Sequence, residues 1–384
     1  MKIRPLLGVA IATSLALAAC GGSDSATDTT SAPAATGVDL AAAGCPSTVA
    51  LQTDWNPEAE HGNLYQLVGP GYTIDTEKLR VTGDLMAGGE STGVKVEIRA
   101  GGPAIGYGQV TAELYKDPSI LLGFTSTDEQ VSHSVDFPTV AVVAPFNINP
   151  QIIMWDPTNY PEAKTIADLK KPGVKVRYFQ GAAYMDYLTQ TGILDKKQTD
   201  DTYDGSPASF IASGGKDAQQ GFGTAEPYAY KNVFKEWAKD VAYQYVHDAG
   251  WTAYAQSLGG TPANIKKYDS CLKALVPVIQ QAAVDYVASP DTANAIILDA
   301  VGKYNNGWTY DAGQASAAVA QMQADKLVAN SPDGTLGSFD IDRITKFIAT
   351  ATPVYTATGA EVKEGLTAAD LVTNDYINPA IKLG

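Results

Sequence analysis

Trp55, Asn56, His61 and Tyr65 lie close together in the stretch Asp54-Trp55-Asn56-Pro57-Glu58-Ala59-Glu60-His61-Gly62-Asn63-Leu64-Tyr65. Their side chains suit a binding site: a flat apolar wall, an amide, an imidazole and a phenol. The preceding run, Thr48 to Thr53, places Val49, Leu51 and Thr53 on one face and reads as a strand. Asn56 has the chemistry of a helix N-cap, and Pro57 suits the first helical position. Trp55 and Asn56 therefore sit where a strand gives way to a helix. In open α/β sheets, ligands bind outside the carboxyl ends of strands, and a helix N-terminus there offers free N–H groups. His61 and Tyr65 are four apart and share a helix face. Gly62 between them permits a close approach to that helix.

The elements that must position such a site follow along the chain. Val94 to Arg99 alternates strictly and predicts a half-buried strand. Ala100-Gly101-Gly102-Pro103-Ala104 then turns into a helix through Glu113, with Tyr107 one turn in. Small residues at such a turn let backbone N–H groups face a ligand, although a plain tight turn reads the same way. Ile120 to Phe124 is a further strand, leading to Asp128. Thr139 to Ala144 is a continuous apolar run, as in a strand buried on both faces. Pro145-Phe146-Asn147-Ile148-Asn149-Pro150 separates it from Gln151 to Trp155. Thr165 to Asp168 fits a capping box. Val174 to Phe179 predicts a strand running into Gln180-Gly181-Ala182-Ala183-Tyr184 and a helix stopped at Gly192. Gln219 to Thr224 is another strand, ending at Glu226-Pro227-Tyr228, and Val241 to Val246 follows. Beyond Trp251 the pattern is mostly helical, with Thr261-Pro262 and Ser289-Pro290 as helix starts. Pro277 is placed to kink or split the long helix between them.

Asp54-Trp55-Asn56-Pro57 followed by His61-Gly62 and Tyr65 resembles the start of the mature domain in one family. That family is the nitrate/sulfonate/taurine and thiamine-pyrimidine-precursor group of ABC-importer substrate-binding proteins. Lys164 to Lys170 and Gly223-Thr224-Ala225-Glu226-Pro227-Tyr228 match as well, so the resemblance runs from about Thr48 to about Tyr254. It implies the type II periplasmic-binding-protein fold, α/β and two-lobed, with the lobes joined by two hinge strands and a helical C-terminal part. Residues 46–143 and 240–384 would form lobe 1, and 147–238 lobe 2. The crossing at 145–150 would be the first hinge, placing Phe146, Asn147 and Asn149 near a ligand. Asp128 would face the cleft or cap its own helix. Gln180, Gly181 and Tyr184 carry over as ligand contacts from lobe 2, although Tyr184 also suits a core or rim position. Glu226 would face the site as a charged contact, suited to an amine or an N–H-rich heterocycle, or else pair with its own backbone. Tyr228 adjoins it.

The chain has 384 residues and a formal net charge of −15. That acidity argues against nucleic acid and against a basic membrane-binding patch. Lys2 and Arg4 precede an apolar stretch from Leu6 to Leu17 that is too short to span a bilayer. Leu17-Ala18-Ala19-Cys20 resembles a lipobox. Residues 1–19 are then a signal peptide and Cys20 a lipidated residue, the alternative being an ordinary secreted protein with a chance cysteine. Residues 20–45 read as the anchor and a flexible tether. Location at the outer face of the cytoplasmic membrane follows. Cys45 and Cys271 suit a disulfide in an exported protein, or stand as two free thiols.

No catalytic constellation is legible. His61, His133 and His247 form no H-E-x-x-H pattern, and neither a G-x-S-x-G elbow nor a phosphate loop occurs. The expectation is a monomeric binding protein, not an enzyme, needing no cofactor and no metal, partnered by an ABC permease and its ATPase. Trp55, Tyr65, Tyr107, Phe146, Tyr184 and Tyr228 suit a small planar solute, pyrimidine-like or another N-heterocycle. A sulfonate, carboxylate or nitrate-type anion is the alternative. A surface enzyme using Glu226 or His61, or an adhesion or signalling lipoprotein, is the competing class.

Overall fold

The alternating and β-branched runs fold as two separate sheets in the computed structural model, which describes residues 37–384. The expected signal peptide and Cys20 lie outside the described residues. In chain order the strands are β1 Thr48–Gln52, β2 Thr73–Asp75, β3 Arg80–Ala87, β4 Glu90–Arg99, β5 Ile120–Thr125, β6 Val140–Val143, β7 Gln151–Trp155, β8 Val176–Arg177, β9 Thr199–Asp200, β10 Ala218–Phe222, β11 Ala242–Tyr245 and β12 Ser257–Gly260. The first sheet has seven strands in the order β2-β3-β4-β1-β5-β12-β6. The second has five, in the order β11-β7-β10-β8-β9. β1 runs parallel to β4 and β5, so their carboxyl ends point the same way. β5 and β7 are buried along their whole length, and β6, the continuous run of the sequence, is buried at all but its first residue.

The chain crosses from the first sheet to the second through 144–150. It returns only between β11 and β12, because β11 pairs antiparallel with β7 as an edge of the second sheet. Residues 242–245 thus form the edge strand of the second sheet at the return crossing. Arg343, on the helix Ile341–Thr358, ties the two crossings together. It donates to the carbonyl of Asn147 at 2.6 Å on the first, and to those of Thr252 at 2.8 Å and Ala253 at 3.0 Å on the second.

Three local expectations are corrected. Residues 37–44 are not loose tether, because Leu40 is fully buried in the core and its N–H donates to the Thr92 carbonyl. One large apolar side chain is enough to fold the stretch down, and the Cys45–Cys271 disulfide holds its end. Pro277 does not split its helix, which runs from Asp269 to Ala288; the break falls at Tyr268, after Pro262–Lys267. Burial of Leu275, Val276, Val278 and Ile279 outweighs the one backbone hydrogen bond the proline removes. Ser289 does not cap the next helix, Asp291–Tyr304, whose N-cap is Pro290. The capping box at Thr165 and Asp168 forms as expected. Among the described residues, no helix is long and apolar enough to cross a membrane.

Candidate functional site

The carboxyl ends of the parallel strands β1 and β5 open onto a cavity of about 250 Å³ between the two sheets. Asp54 follows β1, and Ser126, Asp128 and Glu129 follow β5. Ala255 and Gln256 precede β12. From the other side come Asn149 and Gln151 at the start of β7, Phe222 at the end of β10, and Gly181 to Tyr184 at the start of the helix Ala183–Gln190. Both crossings and both sheets thus contribute to one lining.

Three carboxylates, Asp54, Asp128 and Glu129, stand among amides and hydroxyls on this lining. Asp54 Oδ1 accepts from His61 Nε2 at 2.8 Å and from Gln256 Nε2 at 3.3 Å, while the Asp54 side chain stays 38% exposed. Gln256 is only 3% exposed, its backbone is left-handed at φ 50°, and its Oε1 has no partner. Asp128 accepts from the Glu129 N–H at 3.0 Å and from Trp251 Nε1 at 3.2 Å. Glu129 accepts from the N–H and hydroxyl of Thr111. Burial, reinforced by Asp128 and Asp54, pushes the Glu129 carboxyl up to about 7 against those hydrogen bonds. Glu58, Glu60 and Glu226 are further buried carboxyls, coupled electrostatically to Asp54 or to one another. Burial holds Glu58 well above the usual carboxylate range, helped by Glu60, Asp54 and Glu226. Glu60 is raised mainly by burial; its Oε1 takes the Thr224 hydroxyl and its Oε2 has no partner. Among the described residues, no Lys or Arg lines the cavity.

Of the residues singled out in the sequence, Asp128, Asn149, Gly181 and Tyr184 lie on the lining. Tyr184 is buried there and donates its hydroxyl to Gln220 Oε1 at 2.6 Å. Asn149 Oδ1 accepts from the Gln151 N–H at 2.9 Å. Trp55 is not on that lining, although it follows Asp54; its ring lies 5.8 Å from Tyr107, 6.2 Å from Trp308 and 6.4 Å from Phe179. Tyr107 is not helical: it sits in a left-handed loop at φ 58° and is 69% exposed. Gln180 is exposed.

The remaining candidates are engaged elsewhere. Asn56 caps no helix, because the first turn starts at Ala59 with Glu58 before it, and Asn56 Oδ1 instead accepts from Asn306 Nδ2 at 2.9 Å. His61 is fully buried against Phe124 and reaches the cavity only through Asp54. What approaches Gly62 closely is the ring of Tyr286. Tyr65 and Phe146 belong to the core. Asn147 is held by its backbone, its N–H to the Leu327 carbonyl and its own carbonyl to Arg343. Glu226 Oε2 accepts from the Phe222 N–H at 2.6 Å, and burial lifts its carboxyl to about 7. The Tyr228 hydroxyl lies over Gly313 at the start of the helix Ala312–Ala324. Asp54, Glu129 and Gln256 are among the lining residues that sequence reasoning missed, with Gln109, Ser126 and Tyr355. Only Asp54 carried a signal, as a carboxylate at the end of a strand.

No protein-family model matches the chain, and no curated protein matches it. Solved structures do. The periplasmic aliphatic sulphonate binding protein SsuA from Escherichia coli superposes with a TM-score of 0.53 at 15% identity, covering 82% of this chain and 88% of that one. The alkanesulfonate-binding protein SsuA from Xanthomonas axonopodis pv. citri, bound to MOPS, gives 0.50 at 13% identity, covering 85% and 99%. The ligand-binding component of an ABC-type import system from Staphylococcus aureus, with zinc bound, gives 0.51 at 10% identity, covering 87% and 99%. This chain has the periplasmic-binding-protein fold. At such identities the likeness concerns the fold alone, and the ligand must be argued from this chain's own cavity. Among the described residues, no group of three His, Cys, Asp or Glu side chains is placed to hold a metal ion. The periplasmic-binding-protein fold does explain why the lining draws on both sheets: in a two-sheet protein with two crossings, that is where a ligand touches both halves.

Proposed function

We propose that this chain is the extracytoplasmic solute-binding component of an ABC importer, holding a small planar N-heterocycle between its two lobes and presenting the closed form to a permease. The observation that carries the reading is the cavity lined from both sheets, with Asp54 and Gln256 on one side and Asn149, Gly181 and Tyr184 on the other. A ligand there favours closure, because it gains contacts from the second half only when the halves meet. We also assign the aromatic side of the site to Trp55, which follows the lining residue Asp54 and packs between Tyr107, Phe179 and Trp308. We further propose that residues 1–19 are a signal peptide, that Cys20 carries the lipid anchor, and that the protein works as a monomer at the outer face of the cytoplasmic membrane.

The second reading is an anion, since two of the similar structures are sulfonate-binding proteins. The absence of Lys and Arg from the lining speaks against it. A thermal-shift screen of pyrimidines, other heterocycles, sulfonates, nitrate and aromatic acids separates the two, because a ligand that binds only the folded state raises its melting temperature. The expected result is a heterocycle that binds, is recovered unchanged, and is lost on Trp55→Ala. Recovery of a converted product would instead make the protein an enzyme.

A further inference from the structure

The charge of the solute follows from the groups the cavity leaves unsatisfied. Three carboxylates, Asp54, Asp128 and Glu129, face the lining with no basic side chain among them. Arg343, which holds both crossings, is spent on the backbone carbonyls of Asn147, Thr252 and Ala253. An independent feature points the same way. Gln256 is 97% removed from solvent by its 3% exposure, and its Nε2 is committed to Asp54 Oδ1, which fixes the amide orientation. Its Oε1 therefore stands as a bare acceptor on a residue of the lining, beside a carboxylate. A buried acceptor without a donor is unfavourable, and two adjacent acceptors call for a group with at least two N–H bonds. Donors on the lining come from the amides of Gln109 and Asn149, the hydroxyls of Ser126 and Tyr355, and the start of the eight-residue helix Ala183–Gln190, which has no side-chain cap. That helix start lies across the cavity from Asp54 and suits a polar atom on the far end of the same solute.

We infer that the cavity takes a solute bearing a cationic nitrogen group, a protonated amine or an amidinium on a small flat body, with its N–H groups on Asp54 and on Gln256 Oε1. The inference rests on the solute-binding reading and narrows it. The raised carboxyl of Glu129 is in keeping with it, since burial beside Asp128 and Asp54 leaves negative charge there uncompensated. A cation supplies the missing charge and the missing donors together, whereas an anion supplies neither.

The test uses the purified full chain in mild detergent and compounds that share a shape and differ in charge. Benzamidine, benzamide and benzoate form one set, and the matching pyrimidine amidine, amide and carboxylate form another. Thermal shift and calorimetry are expected to rank each set in that order, with the amidine at least about tenfold tighter than the amide and the acid not binding. Asp54→Asn, which keeps the shape, is expected to cost the amidines about tenfold or more and to leave the amides nearly unchanged. Gln256→Met gives a smaller loss in the same direction and carries the test if the Asp54 variant does not fold. Acids binding as well as amidines, no amidine binding at millimolar concentration, or amidine affinity unchanged in both variants would each overturn the cationic assignment. None of those results touches the solute-binding reading. That reading falls instead if a bound compound is chemically converted.

Discussion

The interlobe cavity and the groove beside the helix Asp269–Ala288 are built from different chemistry. The groove is larger, about 810 Å³ against about 250 Å³. Its walls are largely apolar, with Val68, Met86, Val278, Ala282 and Ile296 among them, and all belong to the first sheet and the helices packed on it. Some of its polar groups are satisfied within the wall, the Tyr72 hydroxyl donating to Asp299 and Gln281 Nε2 to Asp285, while Gln66 Oε1 has no partner. The cavity draws on both sheets and keeps Gln256 Oε1 unpaired. A ligand in the groove would meet one half of the molecule and could not report closure. An unpaired acceptor occurs in both, so the difference teaches that convergence of polar and charged groups from two halves identifies a binding site better than volume does.

The sharpest way to break that comparison is a charge reversal set against a filled groove. Asp54→Lys places a like charge where the cation would sit and is expected to abolish amidine binding, by about a thousandfold or more. Thr292→Trp, which fills the groove from its rim, is expected to leave binding within about twofold. Calorimetry checks both, and the reverse pattern would move the site to the groove. The disulfide offers the next contrast. Cys45 and Cys271 lie 226 residues apart, and Cys271 begins the helix that walls the groove. Replacing both with Ser is expected to cost about 3–5 kcal/mol in chemical denaturation, through the unfolded chain. Amidine affinity of the folded fraction should not move, since neither cysteine reaches the cavity. An affinity loss as large as the stability loss would mean that the two regions are coupled.

Much of this fold is legible in the sequence because its signals are local. Strand β5 announces itself as an apolar run, and the box at Thr165 and Asp168 and the stop at Gly192 are short-range chemistry. The errors arise where a distant partner decides. Asn56 has every property of an N-cap, yet Asn306, 250 positions away, takes its side chain. Gly62 clears space for Tyr286, a core contact that no local pattern foretells. The cavity follows the same rule. Asp128, Asn149, Gly181 and Tyr184 reach it because each sits at the edge of a strand or helix the sequence locates. Gln256 sits in no motif; its place depends on a left-handed backbone just ahead of β12 and on Asp54 from β1.

Arg343 probes the frame around the cavity without touching its lining. It bonds carbonyls on both crossings and lies 3.7 Å over the Tyr254 ring. Arg343→Met keeps the stem packed and removes the donors. The expected cost is about 2–3 kcal/mol of stability, since buried carbonyls lose their partners. Amidine affinity should fall by a smaller factor, because the two crossings no longer hold one geometry. Unchanged stability in urea denaturation would show that the clamp is dispensable.

The smallest expected effect is a pH dependence, and its sign separates the cavity from the rest of the molecule. Glu129 and Glu226 both have carboxyls raised to about 7, chiefly by burial, so the free protein takes up protons there that the unfolded chain does not. Their contribution to stability is full below the ordinary glutamate value near 4.5 and is lost as pH rises through about 7. His247, lowered to about 4 by burial and by Arg343, acts the other way, losing stability as pH falls below its ordinary 6.5. A net melting curve therefore mixes opposite terms. Binding does not, because a cation near the cavity favours the ionised carboxylate of Glu129 whatever His247 does. Amidine affinity should accordingly rise by up to about tenfold from pH 6 to pH 8 and then level off. Calorimetry at pH 6.5 in buffers of different ionisation enthalpy should register proton release on binding. Proton uptake, or affinity that falls as pH rises, would mean that the solute meets these carboxyls in their neutral form, as a hydrogen-bond acceptor and not as a cation.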